Sequence, residues 1–183
     1  DYTQDVPGGA SGSYQNGQTN AERVLNVYTG EDVPIEPVDG LYKIVNKKSG
    51  KVLSTRGGKL ADTIRIRQYG EGVVANQVWK VNPVHLTIGG DFSYHFITNS
   101  NTSSNTYYLD DLDWSLDERQ EVIIYPGGGS GCEQWHLRYV GDGYYTIINR
   151  HSGLCLEVLD GNTADGAGIV QMMVDESDAQ LWK

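Results

Sequence analysis

The chain has 183 residues and a formal charge of −10, and it is rich in Gly (23 residues) and Tyr (12 residues). This balance lacks the concentrated Lys and Arg that displace counterions from nucleic acid, and an anionic membrane surface would repel it. No apolar run approaches the roughly 18 residues that a membrane-spanning helix needs. Abundant Gly and Tyr favour short strands joined by tight turns. The composition therefore predicts an all-β protein that binds no nucleic acid and does not insert into a membrane.

The first 39 residues differ in composition from the rest of the chain. Residues 1–20 are rich in Gly, Ser, Asn and Gln and almost free of aliphatic side chains, which is typical of a linker. Residues 23–28 (RVLNVY) predict at most one added strand, and Pro34 and Pro37 favour extended chain. We predict an extended linker or stalk over residues 1–39. Because the chain has no initiator Met, we expect it to be a piece of a larger protein.

A threefold repeat begins at Gly40. Its copies open on Tyr42-Lys-Ile-Val-Asn46, Tyr94-His-Phe-Ile-Thr98 and Tyr145-Thr-Ile-Ile-Asn149. They close on Gln77-Val-Trp79, Glu133-Gln-Trp135 and Gln180-Leu-Trp182. In every copy a leucine stands 26 residues before the closing Trp: Leu53, Leu109 and Leu156. In the middle copy the Tyr and this Leu are 15 positions apart, whereas they are 11 apart in the other copies, which places four extra residues within NSNTSSNT.

The spacing of apolar residues predicts the fold of the repeat. Apolar residues alternate with a period of two, as at Ile64 and Ile66, which indicates half-buried strands. Four short strands fit into each copy, or about twelve in total, and one copy cannot bury its apolar face alone. Closure of three copies around a shared axis also removes exposed sheet edges. The sequence thus predicts a β-trefoil over residues 40–183, with copies at about 40–93, 94–143 and 144–183.

The repeated motifs resemble those of a known family. The Tyr-x-Ile-x-Asn opening, the Ser-Gly turns at 49–50 and 152–153, the run Cys155-Leu-Glu-Val158 and the closing Gln-x-Trp are similar to the ricin-B-type lectins, whose family includes carbohydrate-binding modules of glycosidases. The resemblance implies a β-trefoil in which each closing Trp lies in the core. It also implies a module without catalysis or cofactor, whose partner is a galactose- or pentose-containing glycan, in a larger secreted or cell-surface protein.

The resemblance also assigns three sugar-binding positions to each copy. A carboxylate on the second strand accepts hydrogen bonds from adjacent hydroxyls, and a ring on the third strand stacks on the C–H face of the sugar. An Asn before the Gln-x-Trp fixes which hydroxyl is bound. The implied residues are Ser54, Tyr69 and Asn76 in the first copy, Asp110, Tyr125 and Cys132 in the second, and Glu157, Met172 or Met173, and Ala179 in the third.

No copy has all three groups, but the second keeps the two that are hardest to replace. We therefore predict that Asp110 and Tyr125 carry the binding site. Trp114, in the nearby stretch DDLDW, is either a second stacking platform or an exposed loop aromatic. Tyr69, Asn76 and Glu157 are further candidate carbohydrate-binding residues. The acidic stretch from Asp110 to Glu118 is interpreted as a solvated loop or part of the sugar site.

The same residues bear on other possible functions. A trefoil whose sugar sites have been lost could act as a protein-interaction, inhibitor or structural module. The acidic stretch lacks the Gly of a calcium loop, and the four His residues show no metal-ligand spacing, so no metal is predicted. The sequence has neither a nucleophile elbow nor a phosphate loop, and no enzyme is predicted. Cys132 and Cys155 could form a bridge only if folding brings them together.

Overall fold

The computed structural model describes residues 40–84, 94–99 and 106–183. Within these ranges the chain forms antiparallel strands and single-turn 3-10 helices, without an α-helix. The predicted N-terminal stalk and the extra residues of the middle copy between 100 and 105 lie outside the described residues. No helix in the described ranges is long and apolar enough to cross a membrane.

The strands follow the three copies in order. The first copy forms β1 (Gly40–Tyr42), β2 (Val52–Thr55), β3 (Ile64–Tyr69) and β4 (Trp79–Pro83). The second forms β5 (Tyr94–Asn99), β6 (Tyr108–Asp111), β7 (Val122–Tyr125) and β8 (Gln134–Gly141). The third forms β9 (Tyr144–Asn149), β10 (Cys155–Val158) and β11 (Ile169–Met172). In place of a further strand, Trp182 bridges to Asn46 and Tyr145. The predicted β-trefoil is confirmed, with eleven strands in the described ranges.

The second and third strands of each copy form a hairpin in one register. Val52 pairs with Tyr69, Tyr108 with Tyr125, and Cys155 with Met172. A slip of one residue would exchange the two faces of a strand, so register fixes which side chains share a face. Met172, and not Met173, therefore occupies the position of the two tyrosines.

The three closing tryptophans lie in the core, as predicted. Trp79, Trp135 and Trp182 are almost completely buried. Each indole Nε1–H donates to the carbonyl of the leucine 26 residues earlier, over 3.0, 2.9 and 3.0 Å in the three copies. Burial of an indole stabilises the fold by removing a large apolar area from water, and the hydrogen bond leaves no polar group unpaired. The regular Leu-to-Trp spacing is thus a property of the core.

A ring of asparagines joins each copy to the one before it. Asn46 Nδ2–H donates to the carbonyl of Ala179 at 2.9 Å, and Asn149 Nδ2–H donates to that of Cys132 at 2.8 Å. In the middle copy the corresponding donor is Asn99, which is bonded to the Asn76 carbonyl at 3.2 Å and paired with Trp79. The sequence alignment had placed Thr98 there. It was wrong by one residue because His95, and not Tyr94, pairs with Trp135 as Tyr42 pairs with Trp79.

One position facing the core carries a carboxylate. Val158 packs in the apolar core of the third copy, and Asp111 occupies the same place in the second. Asp111 is only 1% exposed, and neither of its Oδ atoms has a hydrogen-bond partner among the described residues. Burial, with the charges of Asp110 and Asp113, raises its pKa to about 7. The interpretation of this residue as part of a solvated loop is therefore wrong, since β6 turns it inward.

Candidate functional site

The three predicted positions come together in each copy. The second and third strands pair so that Ser54 faces Arg67 and Asp110 faces Ile123. Tyr69 and Tyr125 lie two residues farther along their strands, on the same face as Ser54 and Asp110, at the diagonal distance that long side chains span. A turn before the closing Trp, which is a 3-10 helix in the first and second copies, brings the third position close to the first.

In the first copy these residues line a shallow hollow of about 210 Å³. Asn76 Nδ2–H donates to Ser54 Oγ at 2.6 Å, and Tyr69 forms part of the lining. Gly58, in the left-handed conformation with φ of 68°, lies beside the Asn76 side chain and leaves the mouth open. A sugar here would meet an amide and a hydroxyl but no carboxylate, so the hollow offers only neutral hydrogen bonds.

In the second copy the carboxylate has one buried oxygen without a hydrogen-bond partner among the described residues. Asp110 is buried, and its Oδ1 has no partner among the described residues, whereas the Cys132 thiol is hydrogen-bonded to the same carboxylate. Burial raises the pKa of Asp110 to about 6, against the lowering effect of the Cys132 hydrogen bond. The group is therefore mostly ionised at neutral pH. Tyr125 is 43% exposed at the end of β7, so its ring is accessible beside this acceptor.

The turn that carries Cys132 is held by Glu133, which replaces the Gln of the other copies. Glu133 Oε2 accepts from the backbone N–H groups of Gly129 and Ser130 at 2.6 and 2.8 Å. In the first copy, Gln77 accepts from the Gly72 N–H in the same way at 2.7 Å. Ser130 and Glu133 form a capping box, a pattern that the sequence already contains as Ser-x-x-Glu. The substitution thus preserves the turn and the place of Cys132.

Trp114 lies next to this site and has an unusual backbone conformation. Its side chain is 54% exposed and its φ is 54°, where the first and third copies have Gly58 and Gly161. His151, from the third copy, packs edge-to-face on the indole with ring centroids 4.9 Å apart. The His151 Nε2–H donates to the Trp114 carbonyl at 3.2 Å. Sequence reasoning missed His151, because nothing in the chain links the two residues before folding.

The third copy is least suited to bind a sugar. Glu157 is buried, and its Oε2 already accepts a hydrogen bond from Gln180 Nε2 at 2.8 Å. Burial raises the pKa of this carboxyl group. Met172 replaces the aromatic ring, and Ala179 offers no side-chain amide. The predicted residues therefore meet here, but they leave few groups for a ligand.

Neither of the two cysteines provides a reactive thiol. Cys132 and Cys155 are both free and buried, so the bridge left open by the sequence does not form. Burial raises the pKa of each thiol to about 12, which keeps both protonated and poorly reactive. Within the residues that the structure describes, no group of three or more His, Cys, Asp or Glu side chains could hold a metal ion.

Comparisons with known proteins agree with this geometry. A family model described as "ricin-type beta-trefoil lectin domain-like" matches residues 23–125, 75–172 and 131–183. The designed 3-fold symmetric protein ThreeFoil is 34% identical, with a TM-score of 0.72 over 79% of this chain and 97% of that one. No curated protein matched the chain in sequence.

Two natural proteins of known structure also share the fold. An exo-β-1,3-galactanase from Clostridium thermocellum is 31% identical, with a TM-score of 0.69 over 82% of this chain but only 30% of the enzyme. A ricin B-like lectin from Macrolepiota procera, solved in complex with lactose, is 19% identical, with a TM-score of 0.64 over 81% of this chain and 96% of the lectin. The chain thus matches one part of the enzyme and nearly all of the lectin.

Proposed function

The chain belongs to the family of ricin-type β-trefoil lectin-like domains, and we propose that it binds galactose- or pentose-containing glycans through the second copy of its repeat. The observation that carries this proposal is the Asp110 carboxylate, whose Oδ1 has no partner among the described residues and lies on the same face of the hairpin as the exposed Tyr125 ring. Asp110 accepts hydrogen bonds from neighbouring hydroxyls, while Tyr125 stacks on the C–H face of the sugar. Trp114 adds a second exposed ring at the edge of this site.

The first copy would act as a second, weaker site. Its hollow contains Tyr69 and Asn76 in the expected places, but Ser54 supplies a neutral hydroxyl in place of the carboxylate. Two weak sites on one molecule raise the apparent affinity for a glycan chain that displays several copies of its sugar. Glu157 would contribute least, because Gln180 already uses its Oε2.

The module acts without catalysis, as one part of a larger secreted or cell-surface protein. Its match to less than a third of a galactanase supports this view, since that enzyme carries a comparable segment beside the rest of its chain. A module of this kind holds a protein on a glycan surface and leaves any reaction to other domains. Fold alone does not decide function, so the proposal depends on the second-copy site.

Removing the Asp110 carboxylate is expected to abolish detectable galactose binding. The wild-type Kd should be on the order of 0.1 to several mM, because a shallow site recovers little beyond the cost of association. A charge-assisted hydrogen bond contributes about 1.5–3 kcal/mol, so Asp110→Ala should raise the Kd by roughly 10- to 100-fold. Titration calorimetry with galactose and with a pentose measures this, and Glu157→Ala, a buried carboxylate of the third copy, is the matched control.

The pH dependence of sugar binding distinguishes the effect of the Asp110 charge from the effect of the side chain's shape. Because burial raises its pKa to about 6, affinity should fall as the pH drops below that value. Asp110→Asn should bind weakly and without this pH dependence.

If Asp110→Ala and Tyr125→Ala both bind like the wild type, the second copy is not the site. If no glycan binds at millimolar concentration, the module has lost its sugar sites and serves as an interaction, inhibitor or structural domain.

A further inference from the structure

Trp114 occupies a position that the fold itself fills with glycine. It ends the 3-10 turn after β6, and the matching turns of the first and third copies end at Gly58 and Gly161. All three residues have a left-handed backbone, with φ of 54°, 68° and 58°. A bulky side chain is disfavoured in this conformation, and strained residues of this kind cluster at ligand-binding sites. With an indole that is 54% exposed, Trp114 also contributes little to the core.

The matching glycine shows where the Trp114 side chain begins. Gly58 lines the hollow of the first copy, and a Cβ placed on it would lie 3.6 Å from Asn76 Oδ1. Cys132 holds the place of Asn76 in the second copy, on a turn of the same type. The Trp114 side chain therefore leaves the backbone at the edge of the site formed by Asp110 and Tyr125.

The indole is fixed from the neighbouring copy. His151 contacts it edge-to-face and donates to the Trp114 carbonyl at 3.2 Å. The backbone N–H of His151 donates to Asn149 Oδ1 at 2.9 Å, and Asn149 Nδ2–H donates to the carbonyl of Cys132 at 2.8 Å. One chain of contacts thus connects the exposed indole to the turn that carries Cys132. A ring held in this way loses little conformational freedom when a ligand stacks on it.

We propose that Trp114 is a specificity-determining residue of the second copy, forming an aromatic wall for the second ring of a disaccharide or longer glycan, and that His151 is a positioning residue for this wall. The inference rests on the proposed sugar binding by Asp110 and Tyr125, which take the first ring. Trp114 follows β6 and Tyr125 ends β7. Both side chains are exposed, so the site has two stacking surfaces in addition to its carboxylate. Stacking on a fixed ring should favour a disaccharide over its monosaccharide roughly fivefold to tenfold.

The test compares galactose with β-1,3-linked galactobiose, in which both rings are galactose, so that the two ligands differ by one ring of the same sugar. The wild type should bind the disaccharide roughly fivefold to tenfold more tightly in titration calorimetry. Trp114→Gly restores the residue of the other two copies and should fold with equal or higher melting temperature. We expect its Kd values for the two sugars to agree within about twofold.

His151 is tested with one variant that removes both of its contacts with Trp114 and one that keeps only the hydrogen bond. His151→Ala should lower the preference for galactobiose and increase the mobility of the Trp114 indole N–H in NMR relaxation. His151→Gln keeps a donor for the Trp114 carbonyl and should recover part of the preference. A residue needed only for folding would change the melting temperature but leave the ratio of the two Kd values as in the wild type.

The outcomes separate this inference from the proposed function. If the wild type binds galactose but prefers galactobiose no more than Trp114→Gly does, the wall does not exist and the proposed site stands. If Trp114→Gly binds galactobiose more tightly than the wild type, the indole obstructs the site and the inference is overturned. If neither sugar binds to the wild type at millimolar concentration, the proposed function fails and this inference fails with it.

Discussion

Replacing Asp111 with valine is expected to raise the free energy of unfolding by about 4 kcal/mol at pH 8. The carboxylate is almost completely buried and has no hydrogen-bond partner among the described residues, and its pKa is raised from 3.8 to about 7, which corresponds to this free energy. Val158 already occupies the matching core position, with nearly the same backbone conformation. Urea unfolding of the two proteins measures the difference.

The gain from Asp111→Val should depend on pH with a definite sign. Below about pH 3.8 the carboxyl group is protonated in both states, and no charge is buried. Between pH 3.8 and about 7 the unfolded chain releases its proton first, so the native protein binds more protons and becomes less stable as the pH rises. The gain should therefore shrink to about 1 kcal/mol at pH 4, where only a neutral polar group is removed.

Thr55→Val is the matched control for this prediction. Thr55 holds the same position in the first copy, and its hydroxyl is also buried without a partner among the described residues. It carries no titrating group, so its gain of about 1 kcal/mol should be the same at pH 4 and pH 8. A gain for Asp111→Val that is equal at both pH values would show that the charge is not buried as described.

Trp135→Phe is expected to destabilise the protein by about 2–3 kcal/mol. Phenylalanine fills most of the space, but it cannot donate to the Leu109 carbonyl, which Trp135 Nε1–H reaches at 2.9 Å. The buried carbonyl is then left unpaired, and part of the ring volume becomes a cavity. Trp135→Ala should cost about 4 kcal/mol or more, and that variant need not fold.

Trp114→Phe provides the comparison for Trp135→Phe. The chemical change is the same, but Trp114 is half exposed, and its indole N–H is not part of the core. We expect a change within about 0.5 kcal/mol in chemical denaturation. Equal losses at the two positions would contradict the assignment of Trp135 to a core shared by the three copies.

The sequence predicted the fold because its regularities are properties of the core. The 26-residue spacing reflects one hydrogen bond that recurs in every copy. The misplacement of Thr98 for Asn99 arose because the Tyr motif was counted from Tyr94, whereas register with Trp135 makes His95 the counterpart of Tyr42. Pairing partners depend on the neighbouring strand, so counting residues along one strand does not reveal them.

The candidate site was predicted in part. The positions of Asp110 and Tyr125 followed from the repeat, and the hairpin places both on one face. The inward direction of Asp111 could have been read from its alternation with Asp110, but the acidic composition of the stretch favoured a solvated loop. His151 lies 37 residues from Trp114, and only the closure of the third copy on the second brings them together.

The most direct test of sugar binding by the second copy is an NMR titration of ¹⁵N-labelled protein with galactose. We predict the largest chemical-shift changes at Asp110, Tyr125 and the turn containing Cys132. Smaller changes should occur at Ser54 and Asn76 in the first-copy hollow, with none at Glu157. Shifts confined to the first or third copy, or no shifts at millimolar galactose, would contradict the assignment of the binding site to Asp110 and Tyr125.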